Sequence, residues 1–293
     1  MQYKRREFLK TATLLGSGVA LTSFGSLLSC KTAAASKSIN ENFGLQLYTL
    51  RDVLPANPKE VLTQVASYGY KQIESYEGAK GMFWGMKNTE FKKFMDDLGM
   101  TIVSSHCDIN KDFERKAEEA SAIGMKYLIC PWLGPQKSLD DFKRHAETFN
   151  QRGETCKKHG LRFAYHNHDY SFYPQEGQLP QDVMMQLTDK DLVDYEMDIY
   201  WVVAAGQDPI TWFNKYPGRF KLSHVKDRKK GAPASEKNAS VILGTGEINF
   251  TEILKTASQK GMSYFIVEQE KYENTTPLDA AKADAAYMKN LKI

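Results

Sequence analysis

From Phe43 onward the chain repeats one unit: an amphipathic helical stretch, a glycine at its C-terminal end, then a short apolar run. The glycines are Gly69, Gly99, Gly124, Gly160, Gly218 and Gly261, and the runs after them cover 70–76, 100–107, 125–132, 161–168, 219–225 and 262–270. A glycine in this position closes a helix and hands the chain to a strand. Runs at 44–50 and 192–198 bring the strands to eight. Strands alternating with long helices form parallel βαβ units, because a parallel pair needs a crossover that returns the chain to its starting edge. Eight such units in about 250 residues predict an α/β fold, a (β/α)8 TIM barrel, as one catalytic domain over 43–293. An open doubly wound sheet would want a glycine-rich phosphate turn after its first strand. Leu50-Arg51-Asp52-Val53-Leu54 offers none.

The first 30 residues have a different character. A basic Lys4-Arg5-Arg6 precedes an uncharged stretch from Thr11 to Leu28, which closes on Leu27-Leu28-Ser29-Cys30. This is the layout of a signal peptide, assigned to 1–30. Arg5-Arg6 with Phe8-Leu9-Lys10 resembles a twin-arginine export signal, and Leu27 to Cys30 resembles a bacterial lipobox, which implies lipidation of Cys30. The expectation is an exported bacterial lipoprotein, periplasmic or membrane-anchored, that touches the membrane only through its lipid. A permanent membrane span is disfavoured by Gly16, Gly18 and Gly25 in a stretch barely long enough to cross a bilayer. Residues 31–42 are small and polar and read as a flexible tether.

The net charge of +3 resides in the signal, whose Lys4, Arg5, Arg6 and Lys10 face only Glu7; the remainder has as many acidic as basic residues. A neutral barrel argues against nucleic acid as a partner, since phosphate neutralisation drives that binding. Cys107, Cys130 and Cys156 are odd in number and lack Cys-x-x-Cys spacing, so they read as ordinary core thiols.

In barrels of this type the reacting groups sit at the C-terminal ends of the strands. Those ends carry Glu74, His106, Pro131-Trp132, His166-Asn167-His168-Asp169, Glu196 and Asp198, His224 with Lys226-Asp227, and Glu268-Gln269-Glu270. A lone strand-end histidine more often caps a carbonyl than binds metal. Here four of the six histidines gather at one rim, while His145 and His159 fall on a helical stretch. Side chains alternate across a strand, so one member of each pair (His166/His168, Glu196/Asp198, His224/Lys226, Glu268/Glu270) can face a shared ion. Two imidazoles and two carboxylates suit a first-row divalent cation such as zinc, manganese or cobalt.

These residues resemble the xylose isomerase-like barrel group of sugar isomerases and epimerases, which also holds inosose dehydratase-like enzymes and lyases of oxidised glycosides. The resemblance rests on Tyr165-His166-Asn167-His168-Asp169-Tyr170, Asp198-Ile199-Tyr200-Trp201, His224-Val225-Lys226-Asp227, the run Gly244 to Phe250, and Val267-Glu268-Gln269-Glu270. It implies one divalent metal ion (Mn, Zn, Co or Mg) held by Asp198, His224 and Glu268. The fourth ligand is His166 or His168, on the fifth strand, where the epimerases place a glutamate. It further implies that the cation stabilises an enediolate formed from a hydroxyketone. Glu268 is then the first candidate for the base, and His168, His106, Lys226 or Glu74 for its partner acid. Tyr48, Arg51, Trp132, Asn167, Trp201 and Glu270 are candidates for gripping a sugar.

Export points to unphosphorylated sugars, and only Arg228-Lys229-Lys230 offers a cationic cluster near the last turns. The leading expectation is an isomerase or epimerase. A keto-sugar dehydratase or 3-keto-glycoside lyase is the alternative, and a non-catalytic sugar-binding lipoprotein the third. A homodimer is compatible with the sequence.

Overall fold

Eight strands carry the barrel: β1 (Gly44–Gln46), β2 (Gln72–Tyr76), β3 (Thr101–His106), β4 (Tyr127–Cys130), β5 (Arg162–His166), β6 (Val193–Asp198), β7 (Phe220–Val225) and, after a short antiparallel pair formed by β8 (Asp227–Arg228) and β9 (Ser240–Val241), β10 (Tyr264–Val267). They close in the order β1-β10-β7-β6-β5-β4-β3-β2, every barrel pairing parallel. The computed structural model describes residues 38–233 and 235–293. The expected signal peptide, Cys30 and most of the expected tether lie outside the described residues. Residues 38–42, assigned to the tether from sequence, are attached to the barrel: the Asn40 amide donates to the Met288 and Leu291 carbonyls. Among the described residues, no helix is long and apolar enough to cross a membrane.

Alternation along the strands sorts the side chains into two cores. Outward residues such as Leu45, Ile73, Leu128, Phe163, Tyr165 and Val267 pack beneath the helices. Inward residues change character along the axis. Val103, Tyr127, Ile129, Ala164 and Leu222 form an apolar plug in the lower lumen. Above it, Gln46, Glu74, His106, His166, Glu196, Asp198, His224 and Glu268 crowd the C-terminal end, all buried. The plug excludes water from below, so the polar layer has solvent on one side only. At Gly44 in β1 the barrel interior is close-packed: a Cβ there would sit 2.5 Å from Cδ1 of Ile266, which would have to move.

The first strand ends earlier than its apolar run suggests. The Gln46 side chain accepts the Tyr48 N–H at 3.0 Å, which turns Leu47–Leu50 into a 3-10 turn and sets Tyr48 at the rim.

One carboxylate organises the loop after β7. Asp227 accepts the backbone N–H groups of Arg228, Gly244, Gly246 and Ile248. Arg228 pairs with Glu247. The glycine at 246 is needed because a Cβ would lie 2.2 Å from Asp227 Oδ1. The Gly244–Phe250 motif is thus a cradle for a carboxylate of its own chain.

Asp284, on the helix Pro277–Asn290, holds the same loop by accepting the Leu243 N–H at 2.8 Å. Burial pushes its carboxyl up to about 8, whereas in the unfolded chain an aspartate ionises near pH ~4. The folded state therefore keeps a proton that the unfolded state releases. This contribution to stability is complete below about pH 4 and is lost as the pH rises through about 8. Asp284→Asn keeps the acceptor and removes the titration. Its unfolding free energy should gain on wild type by up to about 1.4 kcal/mol per pH unit between roughly pH 5 and 8. Denaturant unfolding at the two ends of that range checks this; equal stability differences at both would refute it.

Candidate metal and sugar site

The ionic layer has two levels. At the upper level, atoms of Asp198, His224 and Glu268 lie within 4.8 Å of one another, all buried. His224 Nδ1 is 3.1 Å from Glu268 Oε2 and 3.9 Å from Asp198 Oδ2, and His166 Nε2 approaches the same Asp198 oxygen at 3.8 Å. Asp198 Oδ1 caps the helix Ile199–Ala204 by accepting the Trp201 N–H. Its Oδ2 is buried without a hydrogen-bond partner. A charged oxygen so placed costs several kcal/mol (roughly) unless something neutralises it.

At the lower level, Glu74 receives Gln46 Nε2 at 2.7 Å and the Ser104 hydroxyl at 2.6 Å, and lies 2.7 Å from His224 Nε2. Glu196 lies 3.2 Å from His166 Nδ1. His106 Nε2 spans the two carboxylates, at 3.1 Å from Glu74 and 2.7 Å from Glu196. Each upper imidazole therefore has one nitrogen fixed by a carboxylate below, which leaves the other directed upward at Asp198. This is the arrangement by which outer carboxylates set the tautomer and aim of a metal-binding histidine.

A second set, His106, His166, Glu196 and His224, also brings ligand atoms within 4.8 Å. There His106 and His166 share one oxygen of Glu196, whose other oxygen is buried without a partner. The upper set pairs an unpartnered Asp198 oxygen with a second carboxylate, Glu268, and so better matches the charge of a divalent cation. Two nitrogens and two carboxylates are a donor set for a first-row divalent ion.

The charges follow from the geometry. Burial, opposed by Lys226 and His224, pushes Asp198 up to about 6. Burial would also raise Glu268, but Lys226 and His224 outweigh it and hold Glu268 well below the usual carboxylate range. Burial and the neighbouring Glu74 push Glu196 up to about 7. Although burial opposes it, Glu74 together with the Glu196 hydrogen bond lifts His106 to about 9. Burial and then Lys226 keep His168 neutral. A cation must displace protons from its ligands, so zinc affinity is expected to weaken as the pH falls through about 6, where Asp198 protonates. Zinc titration calorimetry at several pH values measures this, and a flat profile would contradict it.

Most residues singled out from sequence meet here. Tyr48, His106, Trp132, His166, His168, Trp201, Glu268 and Glu270 line one cavity of about 380 Å³. Lys226 lies beneath it, 2.8 Å from Glu270 and 3.2 Å from Glu268. Asp198 and His224 are not among its lining residues, and three further candidates do not reach it. Asn167 is fully engaged with the Asp198 backbone, donating to its carbonyl and accepting its N–H, and so holds β6 rather than a sugar. Arg51 donates to the Glu270 and Tyr48 carbonyls and lies over the Tyr48 ring. Glu74 is sealed below the imidazoles. It is therefore excluded as an acid toward substrate and becomes a positioning group.

Sequence reasoning gave no role to Gln46 or Ser104, and offered Glu196 only as the alternative to Asp198 in facing the shared ion. The signal was present in the alternation, since each stands two residues from a rim position on an inward face. His145 lies in the helix Leu139–Lys158 and His159 at its end, as predicted, and Cys107, Cys130 and Cys156 are free buried thiols.

Glu74→Gln keeps the size of the group but withdraws its charge from His224. It is expected to weaken zinc binding about 10- to 100-fold. Competition with a chromogenic chelator checks this; unchanged affinity would mean that Glu74 does not orient His224.

Residues 62–291 match the family described as xylose isomerase-like TIM barrel. Inosose dehydratase of Lacticaseibacillus casei is 29% identical over 163 residues, 51% of this chain and 52% of that protein. The chain thus spans about half the length of the curated relatives it matches. A solved structure of a sugar phosphate isomerase/epimerase from Parabacteroides distasonis ATCC 8503 is 30% identical, covers 89% of this chain and 99% of its own, and superposes with a TM-score of 0.73. The IOLI protein with a binding zinc atom shares the fold at 14% identity and a TM-score of 0.69, over 84% of this chain and 97% of its own.

Proposed function

Since the chain belongs to the xylose isomerase-like TIM barrel family, we propose that it is a divalent-metal-dependent enzyme removing the proton beside the carbonyl of an unphosphorylated keto-sugar, with loss of a β-oxygen as the outcome. The observation that carries this reading is the convergence of Asp198, His224 and Glu268 beside an unpartnered, buried Asp198 oxygen. A divalent cation bound by these three and His166 would supply the positive charge that polarises a carbonyl and its neighbouring hydroxyl, acidifying the adjacent C–H.

Glu268 lines the cavity beside Asp198 and His224, so it serves as the acceptor for the carbon-bound proton. Lys226 fixes its carboxylate from below. On another part of the wall, His168 is neutral and its Nδ1 has no partner. It is placed to steady the departing oxygen by a hydrogen bond. The carbon's proton goes to Glu268, the C–O bond breaks, and the oxygen leaves with a proton taken from solvent, to which Glu268 then returns its own. The unlike character of Glu268 and His168 favours elimination over a symmetrical carboxylate exchange at carbon. The inosose dehydratase relatives support the same outcome. The Parabacteroides relative supports a second reading, isomerisation or epimerisation, on the same site.

No lysine or arginine lines the site cavity among the described residues. Arg228 is committed to Glu247 and to the Ala232 and Pro233 carbonyls. Both facts support an unphosphorylated substrate, as does the proposed export as a lipoprotein through Cys30, which a Cys30→Ala variant would test by its release from membranes.

Proton NMR of unphosphorylated keto-sugars incubated with enzyme in deuterium oxide tests the function. Release of water or aglycone is the expected result. Deuterium uptake into an intact skeleton would select the second reading. No turnover across keto-sugars with metal supplied would leave only a sugar-binding lipoprotein.

A further inference from the structure

The site cavity does not end at the metal-binding residues. It shares Tyr48, His106 and Pro131 with a neighbouring cavity of about 430 Å³, which in turn shares Cys107, Asp108 and Pro131 with one of about 580 Å³ beneath the helix Leu139–Lys158. The first space alone falls at the small end of the range for small-molecule sites, roughly 300–1,000 Å³. It suits one sugar ring. The rest has no occupant in the chemistry proposed above.

At the junction stands Trp132, whose side chain lines both the first and the largest cavity and is 55% exposed. His168 and Tyr170 meet it at 89° and 90°, so neither ring stacks on its face. Between the two cavities this ring offers an apolar face with a polar N–H edge, the kind of surface by which aromatic side chains take up a ligand. Beyond it, Asp108, Asn110, Asp141, Arg144 and Thr148 line the largest cavity with both donors and acceptors. Arg144 is ion-paired with Asp141. One apolar face beside a ring of mixed hydrogen-bonding groups matches a pyranose, which has C–H bonds on its faces and hydroxyls at its edge.

We propose that this β3–β4 side of the mouth binds a second pyranose ring, so that the preferred substrate is a two-ring glycoside whose outer ring lies against Trp132. This rests on the sugar reading of the site, and its test is kept separate from turnover. Saturation-transfer NMR and calorimetry with cellobiose and methyl β-glucoside read binding alone, in the metal-loaded protein. Cellobiose is expected to bind at least about 10-fold more tightly, with saturation reaching both rings.

Thr148→Trp, which fills the far cavity, should abolish that advantage while leaving methyl β-glucoside binding unchanged. Arg144→Ala, an exposed and readily tolerated change, should reduce it at least about 3-fold and decides the matter if the tryptophan variant does not fold. Equal affinities in wild type, saturation confined to one ring, or an advantage that survives in the folded variants would overturn the second-ring site. Failure of the keto-sugar turnover experiment, with this binding pattern intact, would overturn only the elimination chemistry.

Discussion

Asp198→Ala is expected to lower kcat/KM on the order of 10³-fold or more and to strip the protein of its divalent cation. The size follows from what the residue does. A bound cation contributes several kcal/mol of charge stabilisation in reactions of this kind, and each ~1.4 kcal/mol is tenfold in rate. Asp198 Oδ2 is the one buried oxygen of the upper level that no other group satisfies, within 4 Å of His166, His224 and Lys226. Removing it leaves two imidazoles and Glu268, a poorer and less charged set. Glu268→Gln should match it in rate but lose less metal, because the amide oxygen remains a ligand while the proton acceptor is gone. Metal analysis of both variants beside their kinetics separates the roles. Full metal content and near wild-type rates in Asp198→Ala would remove the proposed centre altogether.

Lys226→Met is expected to destabilise the fold by about 3–5 kcal/mol at neutral pH, the usual cost of stripping one partner from a buried ionic cluster. The ammonium is buried, 2.8 Å from Glu270, 3.2 Å from Glu268 and 3.7 Å from Asp198, and lies over the faces of Tyr200 and Trp201. Without it three carboxylates face one another in a water-poor site. The sign with pH is fixed by Glu268. Its folded-state value is depressed, so it contributes stability above the unfolded value, near pH ~4.3, and loses it as the pH falls through the depressed value. In Lys226→Met that contribution largely disappears, so the gap from wild type should be widest above about pH 5 and narrow on acidification. Saturating zinc should recover part of the loss by binding only the folded state. Urea unfolding at two pH values, with and without zinc, measures all three effects; a neutral-pH difference below about 1 kcal/mol would contradict the picture.

The barrel was legible because its signal is periodic. A glycine after each helix and an apolar run after each glycine fix element type and order, and the closed topology follows from their number. The cluster of candidate ligands was legible for a related reason: a two-residue alternation places Glu196 with Asp198, and His224 with Lys226, on inward faces. The division of labour between levels was not. Which of two inward residues meets a cation and which holds its neighbour from below depends on how far each strand projects and on contacts from across the barrel. His224 is held by Glu74, 150 positions away in sequence. The same holds for Arg51 and Asn167, polar residues at the rim that backbone groups of other segments consume. Short-range pattern has no access to such partners.

The cradle around Asp227 constrains anyone who would remodel this scaffold. Three of its four donors come from 17 to 21 positions downstream, so the turn leaving the seventh stave and the Gly244–Ile248 segment form one mechanical part. Grafting either half from another barrel without its mate would leave a carboxylate stranded beside Lys226 and shift the lysine itself. In an alanine scan, Asp227 would then score among the chemically essential positions while touching no reactant. A thermal melt run alongside the rate assay would unmask it as a fastener.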